Sequence, residues 1–246
     1  MNYKCNFTEK ENEMLKSLNK STFHGSVLLK WTNIKGFSGF TLAEVLITLV
    51  IVGVIAAMTI PTLINKTNNQ EYVSRLKKTY STLAQATKQI ISDEGLPRAD
   101  MGGWATSHEA IYNMYKKYLS NAKECNVGET CFAPIDYKKY NTTTSANWDI
   151  GNKTTLGRLV LADGAIVDFQ FYSDSCAGKT CALLHVDVNG QKGPNMFGKD
   201  AFRFYLGEEG LFPSGCDYNK DNCLTKNNGT GTACTCTVLR EGAINY

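Results

Sequence analysis

The chain has 246 residues, room for one good-sized domain and an appendage. Hydrophobic residues make up 43% of it and charged residues 20%, the composition of a globular protein, with a net charge of only +3. Residues 1–39 hold six lysines against three glutamates and so carry that whole excess; the neutral remainder argues against a nucleic-acid groove, where a basic excess is the rule.

In chain order, residues 1–39 read as a polar, lysine-bearing leader without periodicity, ending in Gly36-Phe37-Ser38-Gly39. The segment Phe40–Ile64 then carries a single charge, Glu44. As a helix it spans roughly 37 Å, enough for a hydrocarbon core of about 30 Å, and in lipid a lone segment must be helical to pair its own backbone. The helical pattern continues beyond it. Val73, Leu76, Tyr80, Leu83, Thr87 and Ile90 recur at steps of three and four, which predicts one buried stripe. Gly95 and Pro97 mark the end, and Pro61 is expected to kink the helix or loosen a turn.

Residues 107–120 predict a short amphipathic helix with Ser107 as N-cap and Ile111, Met114, Tyr115 and Tyr118 on one face. Residues 121–154 read as loop. Residues 158–172 predict a hairpin, with Asp163-Gly164 as a type I′ turn pair. Alternation returns at 183–188 and 201–206, and 213–237 reads as an irregular, cysteine-rich tail.

Of nine cysteines, only Cys5 precedes the apolar run. The other eight, Cys125, Cys131, Cys176, Cys181, Cys216, Cys223, Cys234 and Cys236, lie beyond it. An even set downstream of a membrane segment predicts disulfides in an oxidising compartment. Zinc is the competing reading, and the spacings lack its paired knuckles. Cys125 with Cys131 and Cys176 with Cys181 are the cheapest loop closures, which leaves the other four to staple the tail. Enzymatic readings find no support: the sequence holds no metalloprotease helix, nucleophile elbow, phosphate loop or dinucleotide fingerprint. His108 and His185 are expected on a surface or at a sheet edge, and Trp104 and Trp148 as packing residues against the helix.

The run Gly39-Phe40-Thr41-Leu42-Ala43-Glu44, followed by the apolar helix, resembles the signal of type IV prepilins and type II secretion pseudopilins. The resemblance implies cleavage between Gly39 and Phe40 by a prepilin peptidase and N-methylation of Phe40. Glu44, Gly53 and Pro61 stand where the family has its glutamate, its helix-loosening glycine and its helix-breaking proline. It further implies an α+β fold. A long N-terminal helix (40–95, of which 40–64 is the transmembrane and assembly segment) packs on a small antiparallel β-sheet. Disulfide-closed loops and the cysteine-rich tail complete a head over 96–246.

The implied protein is no enzyme but a filament subunit, made as a single-pass protein of the bacterial inner membrane with its head outside the cytoplasm. Its partners are other pilin-like subunits, the prepilin peptidase and an inner-membrane assembly platform, and it ends in a periplasmic or extracellular filament. A type II secretion pseudopilin leads this reading, and a type IV pilus pilin for adhesion, motility or DNA uptake is the alternative. Of another class is a signal-anchored extracellular binding protein, for which Val54-Ile55-Ala56 would be the cut site. The segment 186–206 resembles a turn-rich stretch of some pseudopilin-like proteins. Its Asp187, Asn189 and Asp200 are oxygen donors for calcium by that resemblance, and the chain needs no other cofactor. Two carboxylates are few for a cation, and an Asx-rich turn satisfying its own backbone is the favoured reading of the three.

Overall fold

The computed structural model describes residues 39–98, 102–125, 136–146, 158–173, 176, 180–216, 223–224 and 229–246. Residues 1–38 of the leader, Cys131 and Trp148 therefore lie outside the described residues. The chain divides into two compact units, one ending at Val54 and one starting at Ile55.

Helix α1 runs Leu42–Glu94, 53 residues, and continues without a break through Pro61. It stops where expected: the Gly95 N–H bonds to the Ile91 carbonyl at 3.1 Å, and Gly95 takes φ +86°, a value open to glycine and costly for other residues. The predicted stripe is the buried one. Leu76, Leu83 and Ile90 are fully buried, Val73 and Thr87 lie beside them, and Tyr80 stacks on Phe204 of the sheet at 5.4 Å. Each such leucine or isoleucine contributes about 1.5–3 kcal/mol by leaving water. Helix α2, His108–Tyr118, begins as predicted: the Ser107 side chain accepts from the Ala110 N–H.

Six strands follow: β1 Lys123–Cys125, β2 Arg158–Val160, β3 Ile166–Phe171, β4 Ala182–Asp187, β5 Ala201–Gly207 and β6 Gly210–Pro213. They form one antiparallel sheet in chain order, β1 to β6. Its register puts Phe169 opposite Leu184 and Leu184 opposite Phe204. These apolar side chains share the main core with α1 and α2. The architecture is the α+β arrangement expected: a long helix against an antiparallel sheet, with disulfides closing loops.

Four expectations are corrected. The β2–β3 turn is not type I′, because Asp163 has no positive φ and only Gly164 does, at +86°. The Gly164 N–H bonds to Leu161 O and the Leu161 N–H to Ala165 O, both at 2.8 Å, so a three-residue loop closes through a glycine bulge. The loop expected over 121–154 contains β1, which exists by pairing with β2. His185 is neither on the surface nor at an edge. It sits in β4 between β3 and β5 and is 1% exposed, because a second cluster containing Tyr137 and Phe197 covers the sheet's outer face. Finally, the tail is not wholly irregular: a short 3₁₀ turn leads into helix α3, Thr235–Glu241, which ends at Gly242.

Candidate functional site

The N-terminal segment is built from its first turn. Thr41 precedes the first helical residue, and Glu44 lies three residues on. The Glu44 carboxylate accepts from the Thr41 N–H at 2.8 Å and from the Thr41 hydroxyl at 2.9 Å, while the Glu44 N–H donates to the Thr41 hydroxyl oxygen at 3.2 Å. This reciprocal arrangement is a capping box, which satisfies donors that a helix start leaves orphaned. It gives the lone acid a local structural role, and Thr41 is the site residue that a reading centred on the cut and the acid did not single out.

Beyond it the helix shows an apolar surface that none of the described residues covers. Phe40, Leu42, Val50 and Leu63 are among many large apolar side chains left exposed. Its threonines do not contradict an apolar surrounding. The hydroxyls of Thr48, Thr59 and Thr62 donate to the carbonyls of Val45, Ile55 and Met58 in their own helix. The helix is long and apolar enough to cross a membrane. Among the described residues Gly53 has no heavy atom within 4 Å of where a Cβ would stand.

In the head, the described disulfides join Cys176 to Cys181, Cys216 to Cys236 and Cys223 to Cys234. The first is the short closure expected, and the other two settle how the tail is stapled. Cys125 is also disulfide-bonded, while its expected partner Cys131 is outside the described residues. The bonded tail reaches the sheet: the Arg203 N–H donates to the Thr235 hydroxyl at 3.1 Å. Trp104 packs, as expected, with its indole N–H on Gly95 O at 3.0 Å and its ring edge-on to Tyr115.

The third group of expected residues, Asp187, Asn189 and Asp200, lies at the two ends of the β4–β5 connection. Asp187 accepts from the Tyr137 hydroxyl at 2.9 Å and from the Asn189 N–H at 3.1 Å. Asp200 accepts from the N–H groups of Asn195 and Met196 at 2.8 and 2.6 Å. The turn reading is thus realised, since both carboxylates organise backbone. Burial raises the pKa of both, and the neighbouring Asp200 raises Asp187 further, well above the usual carboxylate range. Among the described residues no group of three or more His, Cys, Asp or Glu side chains converges as a metal site. The oxygen set fits a hard cation in one respect: the Oδ1 of Asn189 is buried and without a hydrogen-bond partner. Asp187, Asn189 and Asp200 would hold such an ion, and it would supply positive charge between two buried acids.

Two family models match the sequence. One, described as a family of unknown function (DUF6613), covers residues 62–228. The other, the prokaryotic N-terminal methylation motif, covers residues 34–60 and supports a type IV pilin-like prepilin signal. No curated protein and no solved structure matches the chain.

Proposed function

The chain belongs to the family of unknown function DUF6613 and carries a prokaryotic N-terminal methylation motif, and on that premise we propose that this type IV pilin-like protein is a type II secretion pseudopilin. It is trimmed between Gly39 and Phe40, methylated on Phe40, and assembled through α1. It catalyses nothing itself.

The observation that carries this reading is an acid at the head of an apolar helix that the described residues leave exposed, inside a methylation motif. A carboxylate at the centre of a bilayer-spanning helix costs about 2.5–3.5 kcal/mol, and less near the interface. Thr41 offsets part of that cost within the subunit. In a filament the apolar helices pack together, and Glu44 neutralises the Phe40 amine of the next copy, which sets axial register. Gly53 lets helices approach closely, and Pro61 lets the helix bend on leaving the membrane. Before assembly the protein is anchored in the inner membrane. The head stands outside the cytoplasm, where its disulfides persist, and then in a periplasmic or extracellular filament. The resemblance of residues 186–206 to pseudopilin-like proteins favours secretion over a pilus used for adhesion or motility.

Mass spectrometry of the protein from cell membranes tests the proposal. The expected mature chain begins at N-methylated Phe40, and Gly39→Val, whose branched side chain does not fit a scissile site made for glycine, accumulates untrimmed. A mature chain starting near Ala57, or trimming of the Gly39→Val variant, overturns it.

A further inference from the structure

Just past Ile64, where the apolar run of α1 ends, the helix borders a cavity of about 440 Å³. That volume lies within the roughly 300–1,000 Å³ of small-ligand sites. Asn65, Lys66, Asn69 and Gln70 of α1 line one side of it, and residues 242–245, which follow α3, line the other. Ile244 is buried in the main core and holds that second wall in place.

The polar groups around the cavity are uncommitted. Among the described residues the side chains of Asn65, Lys66, Asn69 and Gln70 make no hydrogen bond or ion pair. The main-chain N–H groups of Ala243, Ile244 and Asn245 have no partner among them either. Three of the four side chains face water, but Asn69 does not share that outlet. Its Oδ1 is buried and accepts from nothing, which is unfavourable for a carbonyl oxygen. Lys66 is the only charged residue on the wall. The cavity therefore offers one positive charge, several amide donors and one waiting acceptor.

Its depth matches one layer of a membrane. A hydrocarbon core of about 30 Å sits inside a bilayer of about 40–45 Å, so each headgroup layer is about 5–7.5 Å thick. Residues 65–70 rise about 7.5 Å along the helix. With Phe40–Ile64 in hydrocarbon and the head outside the cytoplasm, they stand in the outer headgroup layer, a placement that rests on the membrane-anchored reading above. We propose that this cavity holds the headgroup of one phospholipid. Its phosphate lies on Lys66 and the amide N–H groups, and a donor elsewhere in the headgroup reaches Asn69 Oδ1. Leu63 and Ile64, both exposed, stand beside it for the acyl chains. A basic site with amide donors suits the phosphate, and the acceptor adds selectivity. An ethanolamine ammonium or a glycerol hydroxyl donates to Asn69; a choline, with no proton on its nitrogen, does not. A lysine that only snorkels to the nearest phosphate has no such preference.

The experiment uses protein purified from cell membranes in detergent. It is mixed in turn with phosphatidylethanolamine, phosphatidylglycerol or phosphatidylcholine, released from micelles and weighed by native mass spectrometry. One retained lipid is expected with each of the first two, and several-fold less retention with the third. Lys66→Glu and Asn69→Leu are each expected to cut retention several-fold without lowering the melting temperature. Lys88→Glu, at an exposed lysine of α1 outside the cavity, is expected to retain lipid as the wild type does. Equal retention of the three lipids, no retained lipid, or a loss in Lys88→Glu as large as in Lys66→Glu overturns the proposal. The same spectra give the mass of the chain and so separate the two readings. A chain that starts elsewhere than Phe40 counts against the filament subunit, whereas a chain that starts at Phe40 and keeps no lipid counts against this site alone.

Discussion

The carboxylate of Glu44 is bound by Thr41 of its own chain, through the N–H at 2.8 Å and the hydroxyl at 2.9 Å. The same group is therefore wanted twice: by its own helix start, and, in the proposed filament, by the amine of a neighbour. The two demands differ in what they require. Capping needs an acceptor at this position, which an amide supplies, whereas neutralising an amine needs a negative charge.

Substitutions at Glu44 separate them. Glu44→Ala removes both and weakens the helix start by about 1 kcal/mol. Glu44→Gln keeps an acceptor for Thr41 and loses only the charge. Both variants are expected to be trimmed after Gly39 at close to the normal level. Both are also expected to be nearly absent from filaments sheared from cells, when processed and assembled fractions are measured side by side. Normal assembly of Glu44→Gln would mean that capping, not charge, is what Glu44 provides.

A second contact links α1 to α2. The Thr87 hydroxyl lies 2.7 Å from Leu83 O and 2.6 Å from the Tyr115 hydroxyl, and all of this is buried. A hydroxyl has one proton, and the carbonyl can only accept, so Thr87 donates to Leu83 and Tyr115 donates to Thr87. The two deletions are then unequal. Tyr115→Phe leaves Thr87 still bonded and is expected to cost about 1 kcal/mol. Thr87→Val strands a buried phenol with no acceptor, at about 1–3 kcal/mol. Urea unfolding of the two variants and the double variant checks the order, and a larger cost for Tyr115→Phe than for Thr87→Val would overturn the assigned donor.

The elements read correctly from sequence are those whose signal is local. The stripe from Val73 to Ile90, the Ser107 cap and the stop at Gly95 each need only neighbours in the chain, and each is where the pattern puts it. Thr41 is equally legible, since Thr-x-x-Glu before an apolar run is a capping-box pattern. The failures depend on distant partners. Strand β1 has three residues and no alternation, and it exists because Arg158 to Val160 lie beside it. The polar alternation at His185 and Asp187 reads as half-exposed, and only the second cluster around Tyr137 and Phe197 buries it.

That buried outer face makes the stability of the head depend on pH. Asp168 of β3 is 5% exposed and stands opposite His185, which in turn stands opposite Arg203. Burial pushes Asp168 up to about 6, although the positive charge of Arg158 pulls the other way. An unfolded aspartate titrates near 3.9. Between those values the folded chain holds the proton more tightly, so the contribution of this group is complete below about pH 4 and is lost as pH rises through about 6. His185 works in the opposite sense. Burial and Arg203 hold it neutral well below its ordinary range, so the folded state loses ground as the pH falls below about 6.5. Wild-type stability alone mixes the two slopes. The difference between wild type and Asp168→Asn isolates one of them, because His185 is common to both. That difference, from urea unfolding in half-unit steps, is expected to shift against the wild type from about pH 4 to about pH 6 and then to level off. A difference independent of pH would mean that Arg158 keeps Asp168 ionised throughout, and that the ion pair rather than burial governs this face of the sheet.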